Sequence, residues 1–239
     1  MFNLIWGVAF VIVNFSLFLL CYKLFGKKGL YAWIGFATVL ANIQVTKTIG
    51  LLGIAMTLGN TIYTSIYMAT DLLNEKYGAD AAKQAVWFGF FSLLASTVMM
   101  QMTLVFVPLG DELAQSTQQA METIFGLMPR LAAGSLCAYF VSQFLDVRVY
   151  SYLKSKFSSA GQFWIRTNGS TALSQLVDSL VFCTIAFAGL YSLSVWLQLL
   201  ITTYLFKFVI TAAATPVMYI ARGFRHAEDA EPGTDGRAR

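Results

Sequence analysis

Histidine is nearly missing from this chain: the single example, His226, sits in a polar C-terminal stretch. The apolar body therefore has no imidazole base and no His-based metal centre. Cysteine is scarce too. Cys21, Cys137 and Cys183 fall inside apolar runs with no CxxC spacing, so buried thiols are expected rather than a disulfide or a metal ligand set. No metal or other cofactor is expected. Charge is thin: Asp, Glu, Lys and Arg make up 12% of 239 residues, roughly half the usual share of a soluble domain. No GxxxxGK[ST] loop occurs, so any ATP-driven step needs a partner chain. No GxGD occurs either; "PLGD" lies in an acidic loop, and Ser–His chemistry has no histidine to use there. An enzyme is not expected.

Apolar sequence fills the space that charge leaves. The chain is 57% hydrophobic with a mean hydropathy of +0.65, and a membrane-spanning helix needs roughly 20 mostly apolar residues. The fold class is an all-α, polytopic transmembrane bundle. Spans are expected at about 3–24, 30–46, 55–74, 84–108, 125–150, 167–190 and 195–221. Residues 1–225 form one membrane domain, and 226–239, polar and without apolar period, read as a disordered cytoplasmic tail. The first run has no basic residues before it and is too long for a signal h-region, so it reads as a retained helix. The second run is short, and the Gly-rich "KTIGLLGIAMTLGN" after it admits a broken or re-entrant stretch.

The loop charges orient the bundle. Alternate loops carry Lys23, Lys27 and Lys28, then Lys76 and Lys83, then Arg148, Lys154, Lys156 and Arg166, then Arg222 and Arg225. The opposite loops carry Lys47 and Arg130 with the acidic Asp111, Glu112 and Glu122. This asymmetry predicts an outside N-terminus and a cytoplasmic C-terminus. The net charge of +4 is loop charge and points to no nucleic-acid partner; it sets no oligomeric state. Trp6, Trp33, Trp87, Trp164 and Trp196 fall near span ends, as interfacial anchors do; Trp164 is also kept as a site candidate.

Polar residues within the spans are the functional signal, because an ionisable group at mid-span costs roughly 2.5–3.5 kcal/mol on insertion scales. Asp178 and Lys207 lie near the middle of the last two spans, with opposite sign. They read either as a structural ion pair or as a substrate or proton-coupling pair, with Thr171, Ser174, Gln175 and Tyr204 close by in sequence. The end of the third expected span and the turn after it, "YMATDLLNEKYG" (67–78), place Asp71 and Glu75 one turn apart. Asn60, Tyr63, Tyr67, Asp71 and Asn74 form a stripe at helical spacing, while Glu75 reads equally well as a solvated residue at the mouth. Arg130, Ser135, Tyr139, Gln143 and Asp146 follow one another at about one-turn steps; Arg130 is either a snorkelling anchor or part of a cavity wall. Asn42 adds an amide deep in the second span, and Pro216 is expected to kink the last. "SQFLDVRV" (142–149) and "SQLVDSLV" (174–181) share a Ser-Gln-x-x-Asp pattern that puts Gln143 with Asp146, and Gln175 with Asp178, on one helix face. Many neutral or paired hydrogen-bonding groups with aromatic neighbours suit a flat, polar, mostly neutral small molecule better than an ion, for which rings of one charge sign are expected.

The ordered series "ANIQVTK", "TLGNTIYTSIYMATDLLNEKYG", "PRLAAGSLCAYFVSQFLDV", "STALSQLVDSLVFCTIAF" and "TTYLFKFVITAAATPVMY", over about residues 41 to 219, resembles the queuosine precursor transporter family, relatives of the vitamin-uptake transporters. The resemblance implies a six-helix core like the substrate-binding components of energy-coupling vitamin transporters, preceded by one extra helix (3–24). It implies uptake of a 7-deazaguanine such as 7-cyano- or 7-aminomethyl-7-deazaguanine across the cytoplasmic (inner) membrane, for tRNA queuosine synthesis. A carboxylate of Asp178 or Asp146 would accept from the ring N–H and exocyclic amine, and Phe182, Phe187 or Tyr139 would stack on the ring. Two other classes stay open: a vitamin-binding subunit that needs a separate ATPase module, and a membrane partner protein that transports nothing.

Overall fold

A glycine makes the first architectural decision. Helical backbone runs over α1 (Phe2–Gln44), yet Gly26 inside it has φ 56° and ψ −137°, a conformation that a Cβ would strain. The chain doubles back there. The rings of Phe18 and Trp33 meet at 5.8 Å, where a straight helix would part them by about 22 Å. Cys21 Sγ donates to the Gly29 carbonyl at 3.4 Å, closing the turn. Thus α1 is two packed antiparallel arms, and the two runs expected at 3–24 and 30–46 are these arms. The computed structural model describes residues 2–51, 54–126, 129–187, 189 and 192–226. The expected tail from 227 onward lies outside the described residues, as do the side chains of Asn60, Arg130 and Phe187.

The Gly-rich stretch after α1 is a small antiparallel hairpin, β1 (Thr48–Leu51) and β2 (Ile54–Thr57), with Thr48 opposite Thr57. It pairs its own backbone groups across the ladder, where a broken helix would have left them open. Helix α2 (Gly59–Tyr77) follows, then Gly78 at φ 86°, then α3 (Ala79–Leu104). The acidic loop after α3 contains a helix that periodicity did not foretell, α4 (Glu112–Met121). Asp111 caps it, its carboxylate accepting from the Ala114 amide at 2.9 Å. Three long helices follow: α5 (Pro129–Lys156), α6 (Phe163–Phe187) and α7 (Leu193–Gly223), with Pro216 inside the last.

The bundle is polar within and apolar without. On α6, Leu173, Leu176 and Leu180 are exposed while Ser170, Thr171, Ser174, Gln175 and Asp178 are buried. That inversion suits hydrocarbon surroundings, where exposed leucine costs nothing and polar groups need partners inside. Among the described residues four helices, α1, α3, and those covering Ala160–Ala186 and Trp196–Gly223, are long and apolar enough to cross a membrane. Helices α2 and α5, of 19 and 28 residues, carry the polar stripes that lower their hydropathy, and those stripes face inward.

One end of the bundle is tied shut by charge. Glu75, in the last turns of α2, accepts from Arg166 of α6 at 2.6 Å and from the Tyr150 hydroxyl of α5 at 3.0 Å, and pairs with Arg222 of α7 at 3.0 Å. Lys154 of α5 donates to the carbonyls of Asn74 and Glu75 at 2.8 and 2.6 Å, capping the C-terminus of α2. Lys76 adds the Tyr22 hydroxyl of α1 and the Phe224 carbonyl. Glu75 is therefore a buried hub between four helices.

Candidate functional site

Helical spacing brings three stripes to the bundle centre. Residues 63, 67, 70, 71 and 74 share one face of α2; 139, 142, 143 and 146 one face of α5; 167, 171, 174, 175 and 178 one face of α6. All but Tyr63 are buried. Lys207 and Thr211 of α7, also buried, close the fourth side.

The two Ser-Gln-x-x-Asp segments lie against each other across the antiparallel pair α5–α6. Ser142 of the first donates to Asp178 of the second at 3.0 Å. In the mirror position Ser174 faces Asp146, but its hydroxyl donates to the Ser170 carbonyl at 2.8 Å instead. Each glutamine leans outward to another helix. Gln175 Nε2 donates to Thr211 at 2.9 Å, and Gln143 Oε1 accepts from Thr70 of α2 at 3.2 Å.

The symmetry breaks at the aspartates. Asp178 is fully engaged: Oδ2 accepts from Lys207 at 2.6 Å, and Oδ1 accepts from Tyr63 at 2.9 Å as well as from Ser142. Tyr67 donates in turn to Ser142 at 3.0 Å. The Lys207 ammonium also lies 4.8 Å from the centre of the Tyr63 ring, a cation–π contact. Asp146 has no cation beside it, and the Ser170 and Ser174 hydroxyls face it without bonding it. It faces Asp71, carboxyl to carboxyl, and neither of its oxygens accepts a hydrogen bond within the protein. Asp71 accepts one long bond from Thr171 at 3.4 Å, and its Oδ1 is unmatched. Gln143 Nε2 and Gln175 Oε1 are also buried without a partner. Buried polar atoms are almost always satisfied in proteins, so this cluster is chemically incomplete: it offers acceptors at Asp146, Asp71 and Gln175 and a donor at Gln143.

The expected site residues divide into two groups. Tyr67, Asp71, Gln143, Asp146, Gln175, Asp178 and Lys207 converge as described. Tyr139 borders them, its ring 6.4 Å from that of Tyr63 and its hydroxyl donating to the Val86 carbonyl at 3.4 Å. Asn42 and Ser135 lie instead on a separate cavity of ≈ 350 Å³ between the second arm of α1, α3 and α5, together with Ser96, Thr97 and Gln101. Phe182 is half-buried one turn beyond Asp178, against Gly134. Trp164 is 51% exposed; its backbone amide, not its indole, meets Tyr219, which fits an interfacial anchor. Residues outside the expected site complete it: Tyr63 and Ser142 on Asp178, Thr70 on Gln143, and Thr167 facing Asp71. Their signal was their place on the same helical faces.

Comparison with known proteins agrees with this architecture. The family model for putative vitamin uptake transporters matches residues 57–221, which includes every element of the central cluster. A probable queuosine precursor transporter of Bacillus subtilis (strain 168) is 50% identical over 222 residues, covering 93% of this chain and 96% of the relative. The queuosine precursor transporter of Escherichia coli (strain K12) is 25% identical over 75% of this chain and 78% of its own length. A probable queuosine precursor transporter of Haemophilus influenzae is 29% identical over 64% of this chain and 63% of that relative. No solved structure matches the chain. The chain belongs to the putative vitamin uptake transporter family, a family of membrane transporters and not of enzymes, which it shares with these queuosine precursor transporters.

Proposed function

We propose that this protein imports a queuosine precursor, 7-cyano-7-deazaguanine or 7-aminomethyl-7-deazaguanine, across the cytoplasmic membrane, and that Asp146 is the group that reads it. The names of its relatives support the substrate class. One observation carries the choice of residue: both carboxylate oxygens of Asp146 are fully buried and unbonded within the protein. A deazaguanine edge presents a ring N–H and an exocyclic amine side by side, the geometry that one carboxylate accepts. Its carbonyl then takes the free Nε2 of Gln143. Asp178, the other candidate, already holds Lys207, Tyr63 and Ser142 and serves to fix the frame. The rings of Tyr63 and Tyr67, 5.7 Å apart, supply aromatic surface beside it.

The deciding measurement is binding of labelled 7-cyano-7-deazaguanine to purified protein, with Asp146→Asn and Gln143→Ala beside the wild type. Asp146→Asn turns one acceptor into a donor and is expected to lower affinity at least 100-fold, since a buried mismatched pair costs several kcal/mol. Equal affinity for guanine and the deazaguanine would overturn the substrate class. Unchanged binding in Asp146→Asn would overturn the residue.

A further inference from the structure

Asp71 of α2 and Asp146 of α5 face each other between the Tyr67–Ser142 and Asn74–Val147 hydrogen bonds, at 3.0 and 3.1 Å, and among the described residues no cation pairs with either. Asp71 is 1% exposed and Asp146 fully buried. The buried cations on the helices around them pair elsewhere: Arg166 of α6 through Nη2 to Glu75 at 2.6 Å, its Nε alone unpartnered, and Lys207 of α7 to Asp178 at 2.6 Å. Lys154 of α5 and Arg222 of α7 are likewise drawn to Glu75, at 3.9 and 3.0 Å, and the remaining ionisable neighbours are acids or phenols. They are Tyr67 and Glu75 on α2, Tyr139 and Tyr150 on α5, and Asp178 on α6. Thr167, 2% exposed, faces Asp71, and its hydroxyl bonds no other group among the described residues. Two bare carboxylates that face each other at such a site repel without compensation.

We propose that Asp71 is a proton-binding site and that one proton enters with each substrate molecule, so that the transporter is a proton symporter. This rests on the substrate reading above. The neutral 7-cyano-7-deazaguanine brings no charge of its own, so its donors favour a charged Asp146 while the approach of the two carboxyls favours a neutral Asp71. Loading the ligand and loading the proton then assist each other, and the coupling is reciprocal. The proton passes from water on one side to the Asp71 carboxylate, and returns to water on the other side once the substrate has left. No other bond is made or broken.

The experiment uses the full-length protein in liposomes with labelled 7-cyano-7-deazaguanine. With the interior alkaline, the wild type is expected to accumulate substrate about tenfold per pH unit, the limit for one proton per neutral molecule. Asp71→Asn should lose that accumulation, and whatever uptake it retains should no longer respond to pH. Asp71→Glu should restore part of the response. A wild type that equilibrates substrate without responding to pH, one that follows a sodium gradient instead, or an Asp71→Asn variant still driven by pH would each overturn the proposal. A second measurement needs no substrate. Infrared spectra of the wild type in lipid should contain the carbonyl stretch of a protonated carboxylic acid that Asp71→Asn removes, and its absence from the wild type would overturn the proton site. Failure of the wild type to bind or exchange the deazaguanine would sink the substrate reading alone, with the infrared band still deciding the proton.

Discussion

At the scale of the residue, two aspartates in the same local pattern have opposite fates because of what each meets across the bundle. Asp178 meets an ammonium and two hydroxyls; Asp146 meets a second carboxyl. Their asparagine variants should therefore separate stability from function. Asp178→Asn strands Lys207, 6% exposed, without its counter-charge. Breaking one side of a buried pair costs about 3–5 kcal/mol, so a large fall in melting temperature in detergent is expected, with Asp178→Asn/Lys207→Met recovering most of it. Asp146→Asn removes an acceptor that no group among the described residues bonds, and its melting temperature should stay the same or rise while ligand binding falls. A glycine frames the same site. A Cβ at Gly89 would lie 2.0 Å from the Tyr139 hydroxyl oxygen and 2.9 Å from its ring carbon. Gly89→Ala should displace that ring and destabilise the protein by about 1–3 kcal/mol, and adding Tyr139→Phe should relieve part of the loss on the same melting curve.

At the scale of the element, the polar stripes were legible because helical periodicity alone places 63, 67, 71 and 74, or 139, 143 and 146, on one face. The shared Ser-Gln-x-x-Asp pattern was legible as well, although its meaning, contact across an antiparallel pair, needed the packing. Other elements gave no such signal. Strands as short as β1 and β2 have too few residues for a period, and their glycines read equally well as a broken helix. Helix α4 has no buried residue, so no apolar face announced it. Glu75 was ambiguous for a related reason: its partners Arg166 and Arg222 are 91 and 147 positions away along the chain, and separation of that kind leaves no local trace. Its role makes a clear prediction. Glu75→Gln removes the charge that Arg166, 1% exposed, and Arg222 share, so the ends of α2, α6 and α7 should loosen together. Hydrogen exchange should quicken at least tenfold in the last turn of α2 and around 157–163, and stay unchanged in α3 and α4. Exchange confined to α2 would show that Glu75 is not a hub.

At the scale of the whole molecule, the two ends of the bundle differ. The end with Lys23, Lys76, Lys154, Arg166 and Arg222 is locked by the Glu75 network, while the end with the β1–β2 hairpin and α4 contains the ≈ 350 Å³ cavity, within the range of small-molecule sites. A transporter must expose its site to one side at a time, so a lock at one end and a cavity towards the other is the arrangement of a carrier closed to one compartment. Which compartment follows from charge, because Lys and Arg are retained on the cytoplasmic side. On that rule the locked end is expected to face the cytoplasm and the cavity end the outside. Single-cysteine variants in a background without Cys21, Cys137 and Cys183 test this directly. A cysteine at Ser116, on α4, should react with a membrane-impermeant maleimide in intact cells, and one at Ser158, between α5 and α6, should react only after permeabilisation. The reverse pattern would invert the molecule in the membrane and make the Glu75 lock an external gate. Combining Glu75→Gln with a cysteine at Ser174 carries the test to the site itself. If the lock is what closes the cytoplasmic path, Ser174→Cys, buried in the locked protein, should become reactive from the cytoplasmic side when Glu75 loses its charge.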